Sequence, residues 1–250
     1  VEGDGYDDIV VSELYADTGL YHSGKVHMWS GSPNGSATTW FTKGTFSNAL
    51  LGANIAPAGD INEDGYDDFM LVSPTSTKSG KIDLYLGSNS GPRTDIQVVA
   101  QGLAQQNVGI NILSGIDVDG DGMNEIMYSS RDLDQGQDFA PQLTFISERD
   151  WEFVVFDFDQ PISELELFTP QRGTPSIMSI LEDKSLSITE YTLDGTPSGR
   201  WDTRELGLVS DAAFGISNSG KPTIMLSSSN WIKTLTVDSY TGLDYSLNTG

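Results

Sequence analysis

The sequence predicts an all-β fold assembled from repeated four-stranded sheets, and two observations carry that prediction. The first is an internal repeat. Leu51 to Pro74 (LGANIAPAGDINEDGYDDFMLVSP) has a partner in Val108 to Ser130 (VGINILSGIDVDGDGMNEIMYSS), and the opening EGDGYDDIVVSEL matches the second half of the same unit. Asp4-Gly5-Tyr6-Asp7-Asp8 returns word for word as Asp64-Gly65-Tyr66-Asp67-Asp68. The second is a marker downstream of the loops, GKVHMWSGS at Gly24–Ser32 and GKIDLYLGS at Gly80–Ser88. It alternates polar and apolar residues with period two and closes on Gly-Ser, as a half-buried strand does. Spacing from loop to loop is 60 residues (Asp4 to Asp64), then 57 (Asp64 to Asp121). Units of that length made of four short strands are blades of a β-propeller, each too small to bury its own faces and so obliged to stack on its neighbours.

Taken in order, each unit reads as a short apolar strand, a Gly-Asp loop, and a second strand rich in Ile, Met, Phe and Val. The marker strand and one more strand complete it. The second half keeps this rhythm and loses the acids: Arg172-Gly173-Thr174-Pro175-Ser176-Ile177-Met178 and Gly220-Lys221-Pro222-Thr223-Ile224-Met225 stand where the fourth and fifth loops fall. Each leads into a strand (IMSIL, IMLSS) and then another (LSITEYTL, IKTLTVD). Five units of roughly four strands result, with no amphipathic helix and no linker that divides the chain. The expectation is one propeller domain over 1–250, with acidic-loop blades in 1–160 and degenerate blades in 161–250. Because the chain opens inside a loop and without Met, it is expected to be a segment of a larger ring.

The acidic loops carry the chemistry. Asp60-Ile61-Asn62-Glu63-Asp64-Gly65-Tyr66-Asp67-Asp68 puts oxygen side chains at positions 1, 3, 5 and 9. Position 7 offers a carbonyl, and glycine at 6 allows the sharp turn. The same positions in the next unit hold Asp117, Asp119, Asp121 and Glu125, with Met123 supplying the carbonyl. Hard oxygen donors without His or Cys select Ca2+ over zinc or copper, and Mg2+ demands a stricter octahedron. Clustered carboxylates repel unless a cation lies between them or some stay protonated. An EF-hand begins in the same way but needs a bidentate Glu at position 12, where this chain has Leu71 and Tyr128, and needs flanking helices where these flanks read as strands. A plain Asp-Gly hairpin turn explains one such loop. It does not explain two full matches and a partial third at blade spacing.

At this point the residues resemble the FG-GAP repeats of the integrin α-chain N-terminal propeller and its microbial relatives. Leu51-Gly52, Val108-Gly109 and Phe214-Gly215 match the "FG" and Val72-Ser73-Pro74 the "GAP", with the D-x-[DN]-x-D-G-x-x-D cage between. The resemblance is specific over 1–130 and survives as rhythm over 160–250. It implies Ca2+ ligands Asp60, Asn62, Asp64, the Tyr66 carbonyl and Asp68, and a second set of Asp117, Asp119, Asp121, the Met123 carbonyl and Glu125. In the first loop Glu2, Asp4, the Tyr6 carbonyl and Asp8 match, while the leading Asp has no counterpart. Family propellers usually have seven blades.

Composition limits the remaining functions. A net charge of −23 argues against nucleic acid and anionic membrane partners, which need clustered Lys and Arg. The acidity itself reads either as carboxylates committed to cations or as a solvated acidic surface. The absence of cysteine excludes disulfides, thiolate metal sites and a Cys nucleophile, and no apolar run is long enough to span a membrane. The two histidines, His22 and His27, lack a nucleophile motif around them, and the only dense acid pairs are the loops, so no catalytic residue is assigned. Asp132–Asp138 reads as a solvated turn, Asn34-Gly35-Ser36 as a hairpin turn rather than a glycosylation site, and the five Trp as packing between blades more than as sugar platforms. The expected function is a secreted or cell-surface scaffold for binding or adhesion, stabilised by Ca2+. Its partner would be a protein or glycan on the cell surface or in the extracellular matrix. The alternatives are a carbohydrate-binding, lectin-like propeller and a non-catalytic propeller domain of a secreted polysaccharide-degrading enzyme.

Overall fold

The computed structural model describes residues 1–34, 37–74, 80–102, 106–116, 125–132, 142–146, 153–157, 162–168, 176–181, 186–191, 197–202, 209–216, 222–229, 231–237 and 245–248. Among them there are strands and turns but no helix. The strands are β1 (Ile9–Glu13), β2 (Lys25–Ser30), β3 (Ala37–Lys43), β4 (Asn54–Gly59), β5 (Asp68–Ser73), β6 (Lys81–Tyr85), β7 (Gln97–Gln101), β8 (Gln106–Ile116), β9 (Glu125–Asp132) and β10 (Gln142–Ile146). They continue as β11 (Phe153–Asp157), β12 (Ile162–Phe168), β13 (Ser176–Leu181), β14 (Leu186–Tyr191), β15 (Pro197–Asp202), β16 (Asp211–Ile216), β17 (Pro222–Ser228), β18 (Trp231–Val237) and β19 (Tyr245–Asn248).

Each strand pairs antiparallel with its neighbour in sequence, giving the sheets β1–β3, β4–β7, β8–β11, β12–β15 and β16–β19. Four of these have four strands and the first has three. Up-and-down four-stranded sheets following one another along an all-β chain are the make-up of propeller blades. The strands expected after the fourth and fifth loops are present as β13, β14, β17 and β18. The chain divides into two compact units, one holding β1–β11 and the other β12–β19.

In the first unit the sheet β4–β7 is covered on both faces. Met70, Val72, Ile82 and Leu84 point one way, into a cluster with Val108, Ile112, Ile126 and Tyr128 of the following sheet. Phe69, Leu71 and Tyr85 point the other way, packing with Val26 and Leu51 and, half-buried, Val10 and Trp40 of the preceding sheet. Trp40 meets Phe69 and Tyr85 edge-on at 5.9 and 5.4 Å, and those two rings stack at 5.3 Å. Trp40 thus packs between sheets, as expected of it.

One expectation needs correcting. The two marker strands read as half-buried, and β2 alternates as predicted, but in β6 every residue from Ile82 to Tyr85 is buried. The reason is position in the stack. β6 belongs to the sheet with a neighbour on each face, whereas Ile9, Val11 and Phe41 on the outward face of the first sheet stay exposed. Alternation in sequence reports one face, and stacking adds the second.

The Gly of the "FG" pair has a defined task. Gly52 has φ +86°, and a Cβ there would lie 2.5 Å from Ser12 Cβ and 2.7 Å from Val26 Cγ2. Gly109 repeats this one sheet on, with φ +74° and Val72 Cγ1 at 2.8 Å. Only glycine combines that backbone with that approach.

In the second unit Ile180, Val209, Ala212, Ile224 and Leu226 are buried. Met225 and Ile232, on the opposite face of their sheet, are 53% and 73% exposed.

Candidate functional site

The acidic loop 60–68 joins the first two strands of its sheet, β4 and β5. It is closed by its own side chains. Asp60 Oδ1 and Oδ2 accept the amides of Asp64 (2.9 Å) and Gly65 (2.8 Å). Asn62 Oδ1 accepts the same Asp64 amide at 3.1 Å, and Asn62 Nδ2 donates to Asp64 Oδ2 at 3.1 Å. Asp64 Oδ1 accepts the Tyr66 amide at 3.1 Å. Asx turns of this kind wrap short polar side chains around the backbone and bring them to one side. Glu63, at φ +56°, and Gly65, at φ +89°, supply the left-handed steps that the turn needs.

Asp68 anchors the far end. It is 2% exposed, with Oδ2 accepting the Ile61 amide at 3.1 Å and Oδ1 accepting the Gly87 amide at 2.6 Å. Its carboxyl is raised above the usual range, first by burial and then by the negative charges of Asp64 and Asp60, against the lowering effect of the two amides. The loop therefore concentrates negative charge that its own backbone only partly offsets.

The loop before β1 repeats this wiring. Asp4 Oδ1 accepts the Tyr6 amide at 3.0 Å, as Asp64 does for Tyr66. Asp8 Oδ1 accepts the Gly31 amide at 3.0 Å, as Asp68 does for Gly87, and the Val1 nitrogen lies 3.4 Å from Asp8 Oδ2, in the place of Ile61 N. Glu2 departs from the pattern, since its Oε1 accepts the Ser30 hydroxyl at 2.6 Å. Of the second predicted set, Asp117, Asp119, Asp121 and Met123 lie outside the described residues. Glu125 opens β9 and is 1% exposed.

Among the described residues no three carboxylate or imidazole groups stand close enough to hold one metal ion. What loop 60–68 offers is a donor set made only of oxygens, with three carboxylates along one nine-residue loop and oxygens that accept one amide each and keep a second lone pair. That chemistry fits a hard divalent cation.

Sequence reasoning missed two residues, Gly31 and Gly87. It took the Gly-Ser closing each marker strand as a turn alone. A Cβ at Gly31 would stand 2.4 Å from the Asp7 carbonyl oxygen, and one at Gly87 would stand 2.5 Å from that of Asp67. These glycines let the acidic loop lie directly on the turn that follows β2 in the first sheet and β6 in the next. The signal was the return of Gly-Ser at the end of both markers.

His27 and His22 are set apart from the loops. His27 lies 3.5 Å from Glu13 on the half-open face of the first sheet, and His22 stacks on Tyr21 at 3.8 Å.

No family model matches the chain. Integrin alpha-IIb of Mus musculus is 29% identical over 140 residues, which cover 51% of this chain and 14% of that protein. Integrin alpha-PS2 of Drosophila melanogaster is 28% identical over 154 residues, 54% of this chain and 11% of that protein. The chain thus spans about one-seventh or less of these relatives. Among solved structures, the WD40 domain of SCAP from fission yeast aligns with a TM-score of 0.48 at 10% identity, covering 85% of this chain and 47% of that one. Over about half its length, then, the chain is similar to integrin α chains, in line with the FG-GAP propeller repeats read from its loops and strands.

Proposed function

We propose that this chain is a single propeller domain that works as a binding or adhesion scaffold outside the cell, with Ca2+ held in its acidic loops as a structural ion. In the loop 60–68 the ion would be held by Asp60, Asn62, Asp64, the Tyr66 carbonyl and Asp68. Asp117, Asp119, Asp121, the Met123 carbonyl and Glu125 would hold a second. Glu2, Asp4, the Tyr6 carbonyl and Asp8 form a reduced third set, in which Glu2 must leave Ser30 to take part.

The observation that carries this reading is the common wiring of two separate loops, in which carboxylates wrap the turn and the last acid reaches the next connection. The similarity to integrin α chains supports the adhesion role and a protein ligand at the cell surface or in the matrix. The chain is proposed to act by binding and not by catalysis. Extracellular Ca2+ is about millimolar, so a loop with affinity of about 10⁻⁴ M would be filled.

The test is thermal unfolding of the chain in EDTA and after Ca2+ is restored. Tenfold saturation of one site adds about 1.4 kcal/mol, or about 3–6 °C for a domain of this size, and two sites add more. An unchanged Tm removes the metal from the account.

A second reading rests on Tyr15, Tyr21 and Phe41, which are 66%, 60% and 59% exposed on the first sheet and its connection. Exposed rings suit glycan faces as well as protein ligands. A glycan array probed with and without Ca2+ separates the lectin from the protein-binding scaffold.

A further inference from the structure

Asp68 stands at a junction between two connections of one sheet. Through Oδ2 it closes the acidic loop on Ile61, and through Oδ1 it takes the amide of Gly87, 19 residues further on. That amide belongs to the turn that leaves β6, and the turn is compact. Ser88 Oγ donates to the Gly91 carbonyl at 2.7 Å, the Gly91 amide reaches the Ser88 carbonyl at 2.9 Å, and the Arg93 amide reaches the Leu86 carbonyl at 2.8 Å. The Arg93 guanidinium pairs with Asp95 just beyond this turn. Gly87 is the residue on which the loop rests, because any Cβ there would drive into the Asp67 carbonyl oxygen at 2.5 Å. Asp8 and Gly31 reproduce both features in the first sheet, with a bond of 3.0 Å and a would-be Cβ contact of 2.4 Å.

We infer that cation binding in the acidic loop is coupled through Asp68 to the 86–93 turn, with Gly87 as the positioning residue, and that Asp8 and Gly31 form the matching device one blade earlier. The inference rests on the Ca2+ reading above and adds a direction to it. A cation drawing on Asp68 fixes the carboxylate, and a fixed carboxylate fixes the amide that it accepts. The ion thereby orders the connection after the third strand as well as the one before the second. Gly87 supplies no ligand to the metal.

The test is a Ca2+ titration of the ¹⁵N-labelled full chain followed by amide shifts, with hydrogen exchange measured at both ends of the titration. The Gly87 amide is expected to move with the same midpoint as the amides of Asp64 and Gly65, and its exchange to slow about tenfold, as for a donor whose acceptor is held in place and whose turn opens less often. Gly87→Ala is expected to weaken Ca2+ binding about tenfold by calorimetry, the size of one hydrogen bond to a charged acceptor. Movement of the 60–68 amides with Gly87 silent overturns the coupling and leaves the metal reading standing. Silence in both segments overturns both. Should Gly87→Ala fail to fold, the wild-type titration alone decides.

Discussion

Leu71 and Val11 occupy the same position in successive blades and differ in what covers them, which makes a matched pair for mutation. Both stand on the same face of their sheets, which for Leu71 is the face toward the preceding sheet. Leu71 is fully buried, packed with Val26, Leu51, Phe69 and Tyr85, whereas Val11 is 43% exposed. Leu71→Ala removes a buried isobutyl group and leaves a void between two sheets that cannot collapse without breaking the aromatic contacts around Trp40. A cost of about 3 kcal/mol follows, within the range of about 2–5 for buried Leu to Ala. For a chain of this size that corresponds to a Tm lower by about 6–12 °C. Val11→Ala removes methyl groups that water already reaches and is expected to cost about 0.5 kcal/mol or less. Scanning calorimetry of both variants in the same buffer is the measurement. A loss at Val11 equal to that at Leu71, or a loss at Leu71 below about 1 kcal/mol, would refute the face-to-face stacking from which the numbers come.

Two further perturbations test other parts of the structure. Gly52→Ala forces a Cβ onto Ser12 and Val26 at a backbone of φ +86° and is expected to destabilise by about 1–3 kcal/mol, read as a lower urea midpoint at unchanged slope. Asp83, 4% exposed, is held above the usual carboxylate range by burial, with Lys81 at 2.8 Å opposing the shift. The folded chain therefore binds that proton more tightly than the unfolded chain, and Asp83's contribution to stability falls as pH rises from about 4 through its raised folded value. Asp83→Asn is expected to flatten that part of the pH–Tm curve. A curve parallel to that of wild type would show that Asp83 does not titrate in this window.

The sequence was most legible where one residue type does one job. The Asp-Gly loops at Asp4 and Asp64 located turns, and the strands that follow the repeat, including the acid-free pair IMSIL and IMLSS, formed where the rhythm placed them. The EF-hand alternative fails on the structure as it did on position 12, since Asp68 opens a strand and no helix occurs among the described residues. Burial was less legible. The GKIDLYLGS strand carries Lys81 and Asp83 in alternation with apolar residues, and nothing local says that a second sheet closes over Asp83. The task of Gly87 was hidden for a related reason. Its neighbour in space, the Asp67 carbonyl, is 20 residues away in the chain, and a Gly-Ser pair reads the same whether it merely turns or also bears a loop. Asp132–Asp138 falls largely outside the described residues.

The strictly sequential pairing of strands has a kinetic side. Among the described residues every ladder joins strands that follow one another, so each sheet closes only short loops as it forms, and loop-closure entropy grows with the logarithm of loop length. Hairpins of this kind zip early and cheaply, and the slower step is left to the docking of one finished sheet on the next. In the unit of β1–β11, where the sheet β4–β7 is covered on each face, a nascent chain would add one layer at a time, each arriving on a template already set.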